Sequence, residues 1–192
     1  TKNKVDVIDL EKTSDLLTKA EEIVAGLSKD GKKILFVGTK AEAQEVTRGA
    51  ADALKMPYVT NRWIGGTLTN FSEIKRRVDI LVDLKDKKSK GLLEKYTKKE
   101  QSDFSRQINK MEGYFGGLVG MDKKPDALFI IDVKKEINAV KEAIQLKIPV
   151  ITISSTDCDI SEVAYPIVAN DAAILSLKLL TNKIVKAYES AK

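Results

Sequence analysis

Three short segments of this chain are almost continuously apolar, and a helix-like pattern follows each of them. They are Lys33–Val37 (KILFV), Ala127–Val133 (ALFIIDV) and Val150–Ser154 (VITIS). A strand with apolar side chains on both faces must be covered on both faces, which is typical of a parallel sheet between two layers of helices. The segments therefore predict a three-layer α/β fold.

Apolar residues recur at helical spacing in the stretches around these strands. The predicted helices are Ser14–Leu27, Ala41–Leu54, Lys134–Leu146 and Asp171–Glu189. Two more short strands are predicted, at Val5–Leu10, where apolar and polar residues alternate, and at Pro57–Thr60. The alternation of strands and helices assigns residues 1–71 and 113–192 to one α/β domain.

Residues 72–112 interrupt that alternation with a strongly charged stretch. Apolar residues there follow a four-three spacing twice, at Ile74, Val78 and Leu81 and again at Phe104, Ile108 and Met111. This spacing predicts an inserted antiparallel hairpin of two helices with a coiled-coil seam. The stretch contains twelve basic and eight acidic residues, a net charge of +4 out of the chain's +5. The hairpin either projects as an arm or lies against the α/β domain.

Composition excludes several kinds of chemistry. The chain has no histidine, which rules out imidazole catalysis and imidazole metal ligation. Its one cysteine, Cys158, lies between Asp157 and Asp159, whose charges disfavour a thiolate. We therefore predict no catalytic residue, metal site or cofactor. No apolar run approaches the roughly 18 residues of a membrane span, so no membrane partner is expected.

Two other functions stay open from the residues alone. Gly38 and Thr39 lie at a strand-to-helix junction, and Asp132, Asp157 and Asp159 follow strand ends, an arrangement that α/β enzymes and nucleotide-binding modules use. The glycine spacing of a phosphate loop is absent, which favours a tight turn at the glycine, a helix cap at the threonine and turn-binding aspartates. The third possibility is a scaffold that binds other proteins through the hairpin.

The loop before the hairpin reads NRWIGGTLTNF and contains the chain's only tryptophan. We interpret Trp63, Gly65, Gly66 and Asn70 as a structural hinge at the base of the hairpin. The glycines can adopt backbone angles that other residues resist, and Thr69 or Asn70 can cap the next helix. In this interpretation Trp63 is a wedge that fixes the angle of the hairpin and does not stack on bases.

Basic residues cluster beside this loop and along the first helix of the hairpin. The candidate phosphate contacts are Arg62, Lys75, Arg76, Arg77, Lys87, Lys88 and Lys90. Lysine and arginine bind phosphates without reading sequence, and A-form RNA is recognised largely through its shape and backbone. The alternative is a solvated helix face, which is the usual environment of such a charged run.

Two long motifs carry a resemblance to a known family. They are NRWIGGTLTNF and the run PDALFIIDVKKEINAVKEAIQLKIP at 125–149, and shorter matches occur in the same order at VIDLEKT, ILFVGTKAEAQE and YPIVAND. In these motifs the chain resembles the bacterial small-subunit ribosomal protein two family, from Val5 to the last helix. That family's upstream segment, with its aromatic-Gly-His motif, is not among the residues shown.

The resemblance implies a flavodoxin-like parallel sheet with an inserted antiparallel coiled-coil hairpin. It also implies a structural, non-enzymatic protein of the cytoplasmic ribosome. Its expected partners are small-subunit rRNA and neighbouring small-subunit proteins. No cofactor, membrane or small-molecule substrate is expected.

Overall fold

Five parallel strands form one sheet in this computed structural model, which describes residues 7–192. The strands are β1 (Ile34–Val37), β2 (Tyr58–Val59), β3 (Ala127–Ile131), β4 (Val150–Ser154) and β5 (Tyr165–Val168). Their order in the sheet is β2-β1-β3-β4-β5, and every neighbouring pair is parallel. The chain therefore reverses its direction of progress across the sheet between β1 and β3, as in flavodoxin-like folds.

Six α-helices and one 3₁₀ turn complete the described part of the chain. They are α1 (Leu10–Lys29), α2 (Ala41–Leu54), α3 (Phe71–Ser89), α4 (Lys98–Phe115), the 3₁₀ turn Gly116–Leu118, α5 (Ile137–Gln145) and α6 (Ile174–Ser190). Across residues 7–192, no helix combines the length and the apolar character that crossing a bilayer requires.

Alternate residues of the central strands face two separate core layers. Phe36 and Phe129 lie in the first core layer, which the sheet shares with α1, α2 and α6. Leu35 and Leu128 lie in the second core layer, which also contains Trp63 and residues from α3, α4 and α5. The period-two alternation of a strand thus buries both faces of the sheet. The predicted three-layer α/β fold is confirmed.

Most of the predicted elements are present with small changes at their ends. Helix α2 has the predicted bounds, and β5 is an additional strand at the edge of the sheet. Edge strands tolerate Pro166, which lacks an amide proton. The predicted strand Val5–Leu10 falls partly on residues outside the described range. Its described part is not a strand, because Asp9 caps α1 with its carboxylate and Leu10 is already helical.

Helices α3 and α4 contact each other, and their two halves differ in environment. Buried residues Ile74, Val78 and Leu81 of α3 join Ile108 and Phe115 of α4 in the second core layer. Between 82 and 107 every side chain is exposed or half-buried. Only the half of the pair nearest the sheet is therefore anchored in the core. Coiled-coil packing between α3 and α4 stays a prediction.

The turn between β1 and α2 depends on the absence of a side chain at Gly38. A Cβ at Gly38 would lie 2.2 Å from Thr47 Oγ1, and the Thr47 side chain is fully buried. Since Thr47 cannot move into solvent, β1 and α2 would have to separate. The requirement for glycine at position 38 therefore comes from this close approach to α2, and the tight turn stays a prediction.

We predict that Gly38→Ala lowers the free energy of unfolding by about 1–3 kcal/mol through overpacking. Gly49→Ala is the matched control in α2, because a Cβ there meets no atom within 4 Å and alanine favours helices. Chemical denaturation measures both effects. Equal stability of the two variants would contradict the proposed contact.

Candidate nucleic-acid interface

One carboxylate holds the loop between β2 and α3. Glu142 Oε1 accepts hydrogen bonds from Trp63 Nε1 at 3.0 Å and from the Gly66 amide at 2.8 Å. Glu142 Oε2 accepts from the amides of Leu68 and Thr69 at 3.0 and 3.1 Å, and from Thr69 Oγ1 at 3.1 Å. We call this set of five hydrogen bonds the Glu142 anchor. It joins the loop to α5, which lies 73 to 79 residues further along the chain.

The anchor changes the acidity of its carboxyl group. Burial by itself raises the pKa of Glu142, but the hydrogen bonds from Trp63 and from the loop amides outweigh it. The pKa therefore lies below its ordinary value. Donors that favour the charged form hold the carboxylate ionised, and the negative charge near the start of α3 also suits the dipole of that helix.

The predicted hinge residues have different roles within this loop. Trp63 is 8% exposed and packs in the second core layer, so its ring faces are not available to RNA bases. Gly66 has a φ of +90°, which favours glycine, whereas Gly65 does not have a positive φ. The backbone argument therefore applies to only one of the two glycines.

The prediction that the side chain of Thr69 or Asn70 caps α3 is wrong. Asn70 occupies the N-cap position, but its side chain makes no capping hydrogen bond. The hydroxyl of Thr69 donates to Glu142 instead. The Glu142 carboxylate binds the amides of Leu68 and Thr69, which precede α3, and the first amides of the helix receive no side-chain cap from Asn70.

Basic residues at the start of α3 form long ion pairs on the surface. Lys75 Nζ is 3.4 Å from Asp122 Oδ1, and Glu73 lies 3.6 Å from Arg76 and 3.3 Å from Arg77. Exposed pairs of this kind typically contribute about 0–1 kcal/mol. These cations can therefore exchange a carboxylate for a phosphate at small cost.

Three lysines at the far end of α3 form a second group. Lys87 and Lys90 pair with Asp83 and Asp86 at 2.6 and 2.7 Å, one helical turn earlier. Lys88 makes no ion pair with any of residues 7–192. At a rise of 1.5 Å per residue, Lys87 lies about 16 Å along the helix from Arg76. The structure thus separates the predicted phosphate contacts of α3 into two groups.

Arg62 belongs to neither of these groups. Its side chain is exposed and makes no ion pair within the described range. It lines a cleft of about 390 Å³ at the carboxyl edge of the sheet, together with Lys135, Asn138 and Tyr114. Arg62 therefore lies in a concave surface, whereas the lysines at the end of α3 lie on an exposed helix.

Thr39, which was considered for a nucleotide site, is bound to a buried glutamate. The backbone amide and hydroxyl of Thr39 both donate to Oε1 of Glu136, which is 2% exposed. Burial raises the pKa of Glu136, although the hydrogen bonds from Thr39 act against this rise. The predicted helix cap at Thr39 is therefore wrong, because its hydroxyl is used inside the protein.

A lysine occupies the centre of the carboxyl edge. Lys40 Nζ lies 3.5 Å from Asp132 and 3.1 Å from Asp171. Burial alone lowers the pKa of Lys40, but the two carboxylates outweigh it and raise that pKa. The ligand atoms of Asp132, Asp171 and Cys158 lie within 4.8 Å of one another and are close enough to share a cation. The ammonium group of Lys40 already supplies that positive charge.

The remaining strand-end groups also have structural partners. Asp157 pairs with Lys134 at 2.9 Å, and Asp159 accepts from the amide and hydroxyl of Ser161. Burial raises the pKa of Cys158, and the charge of Asp132 adds to the rise. The thiol is therefore protonated at neutral pH, as the sequence predicted. These contacts favour the structural interpretation of the aspartates.

We predict that Glu142→Gln lowers the free energy of unfolding by about 1–3 kcal/mol, because its amide nitrogen cannot accept from the loop donors. The difference from wild type should depend on pH. The folded protein holds the pKa of Glu142 below its ordinary value of 4.5, so the stabilisation is complete above that pH. It is lost as the pH falls through the lowered folded value.

Denaturation from neutral to acidic pH measures this dependence. Glu22→Gln on the exposed face of α1 is the control and should change stability little at any pH. A difference between wild type and Glu142→Gln that stays constant on acidification would show that the ionised carboxylate is not what holds the loop.

Comparison with known proteins identifies the family. The family model described as Ribosomal protein S2 matches residues 1–191. The chain is 44% identical over 191 residues to small ribosomal subunit protein uS2 of Dictyoglomus thermophilum, covering 100% of this chain and 78% of that protein. It is 44% identical over 186 residues to uS2 of Coprothermobacter proteolyticus, covering 97% and 69%. It is 43% identical over 192 residues to uS2c of Mesostigma viride, covering 100% and 84%. The resemblance found in the sequence motifs is confirmed, and the chain belongs to the ribosomal protein S2 family.

Proposed function

We propose that this protein is a structural component of the small ribosomal subunit and binds the rRNA of that subunit. The observation that carries the proposal is family membership, since the relatives described above are named as small-subunit proteins. The exposed cations of α3 and of the preceding loop supply the physical means of binding. In this role the protein supports assembly and translation and catalyses no reaction.

The state of the charged groups supports a binding surface over a catalytic centre. At the carboxyl edge of the sheet, Lys40 pairs with both Asp132 and Asp171, and Glu136 accepts hydrogen bonds from Thr39. The predicted phosphate contacts are different, because each is exposed or only loosely paired. Except for Arg62, the predicted phosphate contacts therefore lie outside the site that an α/β enzyme would use.

We further propose that residues 72–112 project from the α/β domain at 1–71 and 113–192 as an antiparallel coiled-coil arm. The contrast between the anchored and unanchored halves of α3 and α4 supports this arrangement. The outer half has its own local contacts. A capping box between Thr97 and Glu100 begins α4, and the rings of Tyr96 and Phe104 pack 5.2 Å apart.

Neighbouring small-subunit proteins are the second class of partner that we propose. Leu175 and Leu179 on α6 are 83% and 62% exposed, and Leu10 nearby on α1 is 76% exposed. Clustered apolar exposure of this kind is typical of surfaces that contact other proteins. This side of the molecule is formed by α1 and α6, which pack on the opposite face of the sheet from α3 and α4.

We predict that association of the protein with small subunits weakens as salt rises, with a log–log slope of roughly 0.7 to 0.9 per phosphate contact. The double variant Arg76→Gln/Arg77→Gln should bind more weakly and with a shallower slope, because two contacts are lost. Co-sedimentation across a salt series measures both quantities.

The matched control removes two exposed charges from α1, in Lys19→Gln/Lys29→Gln, which do not line the cleft that contains Leu10 and Leu179, and should bind like wild type. A third variant, Lys87→Gln/Lys88→Gln/Lys90→Gln, reports separately on the far end of α3. Association that ignores salt, or equal losses in the control and the Arg76/Arg77 variant, would refute binding through these residues.

A further inference from the structure

Three clefts meet at one aromatic side chain, Tyr114, at the end of α4. Their volumes are about 270, 390 and 480 Å³, and Tyr114 lines all three. Four of the chain's five arginines also line them, namely Arg48, Arg62, Arg76 and Arg77. We call this set of clefts the Tyr114 surface. It collects arginines from a helix, a loop and the base of the hairpin, which are far apart in the sequence.

The arginines of this surface are available to a ligand. Arg48 lies 3.7 Å from Asp52, and both side chains are more than half exposed. Arg76 and Arg77 share the single carboxylate of Glu73. Arg62 has no ion-pair partner among residues 7–192. None of the four guanidinium groups is therefore committed to a tight internal contact.

The charge balance of the Tyr114 surface is positive. Lys110 and Lys135 line the same clefts and bring the number of cations to six, against the carboxylates of Glu73, Glu112 and Glu136. Of these, Glu112 is paired with Lys85 at 2.9 Å, and Glu136 is buried and bound by Thr39. An anionic ligand would therefore meet a clear excess of positive charge.

Tyr114 has the properties of a stacking platform that Trp63 lacks. Its neighbour Phe115 is buried in the second core layer, whereas Tyr114 is only half-buried at the edge of that layer. The Tyr114 hydroxyl has no hydrogen-bond partner in the described part of the chain. The exposed amides of Asn61 and Asn138 line the adjoining cleft and can bind the edges of a base.

We propose that the Tyr114 surface binds an unpaired nucleotide of RNA, with the base stacked on Tyr114 and the flanking phosphates on the arginines. This inference rests on the rRNA binding proposed above and adds Tyr114, Arg48 and Lys135 to the contacts. Unpaired RNA bases commonly stack on aromatic rings and arginine planes. Concave clefts of this size suit a single nucleotide, whereas the bases of an A-form duplex are paired and stacked and cannot lie on the Tyr114 ring.

The test measures binding of a short fluorescein-labelled oligouridine to the full chain by fluorescence anisotropy. Tyr114→Leu keeps an apolar side chain but removes the ring, and should weaken binding about 5- to 100-fold, as expected for the loss of one base-stacking contact. Tyr114→Phe keeps the ring and should bind within a few-fold of wild type. An unlabelled RNA duplex should compete less well than unlabelled oligouridine.

Substitutions of exposed arginines provide a second test, and they leave the packing of the hydrophobic core unchanged. Arg48→Gln should weaken binding and reduce the salt slope by about 0.7 for one contact to a single strand. Arg106→Gln is the matched control, because Arg106 is the one arginine outside the three clefts and is also exposed. It should bind like wild type.

Three outcomes would overturn the inference. They are absence of oligouridine binding by wild type, equal binding by Tyr114→Leu and wild type, and equal effects of the Arg48 and Arg106 variants. In each case, salt-sensitive association of wild type with small subunits would leave the rRNA-binding function standing. Loss of that association in wild type would instead refute the function itself.

Discussion

The Glu142 carboxylate is the constraint on which the geometry of this molecule depends. It accepts five hydrogen bonds from a loop that precedes α3, while its own helix packs against the sheet. The direction in which α3 leaves the sheet is thereby tied to α5. The buried ring of Trp63 fills the space beneath this contact, and its indole nitrogen is one of the donors. We propose that this charge and the buried ring together set the direction in which α3 leaves the sheet.

This constraint also explains how the basic residues are arranged. Arg62 lies in the anchored loop, and Arg76 and Arg77 lie in the first two turns of the helix that follows it. Tyr114 reaches the same region from the end of α4. If the loop were free, Arg62 would move relative to Arg76 and Arg77. A rigid loop keeps them around one aromatic ring, which is the preorganisation that the proposed RNA contact would need.

The polar groups at the carboxyl edge of the sheet are used differently from those of α/β enzymes. This edge, next to the reversal between β1 and β3, is where such folds usually bind ligands. Here Lys40 pairs with both Asp132 and Asp171, and Glu136 binds the junction between β1 and α2. These polar groups stabilise the fold, while exposed cations lie in the adjoining cleft, at Arg62 and Lys135, and along the start of α3.

The sequence predicted those features that depend on local patterns. Strand β1 and helix α2 were predicted almost residue for residue, because a continuous apolar run and a helical repeat are visible in short windows. Strand β5 was not predicted, because it is short and contains Pro166. The sequence assigned the cap of α3 to Thr69 or Asn70 and missed the contact with Glu142, because nothing in the sequence of α5 distinguishes Glu142 from a surface acid. Contacts that join residues more than 70 positions apart leave no such local trace.

Hydrogen exchange at the loop amides tests the central claim most directly. The account predicts that the amides of Gly66, Leu68 and Thr69 exchange slowly in the wild-type protein, even though Thr69 lies at the surface. In Glu142→Gln their protection should fall sharply, while that of the β3 amides stays close to wild type. Fast exchange of these three amides in the wild type, or protection that survives the substitution, would contradict a carboxylate anchor as the element that positions the hairpin.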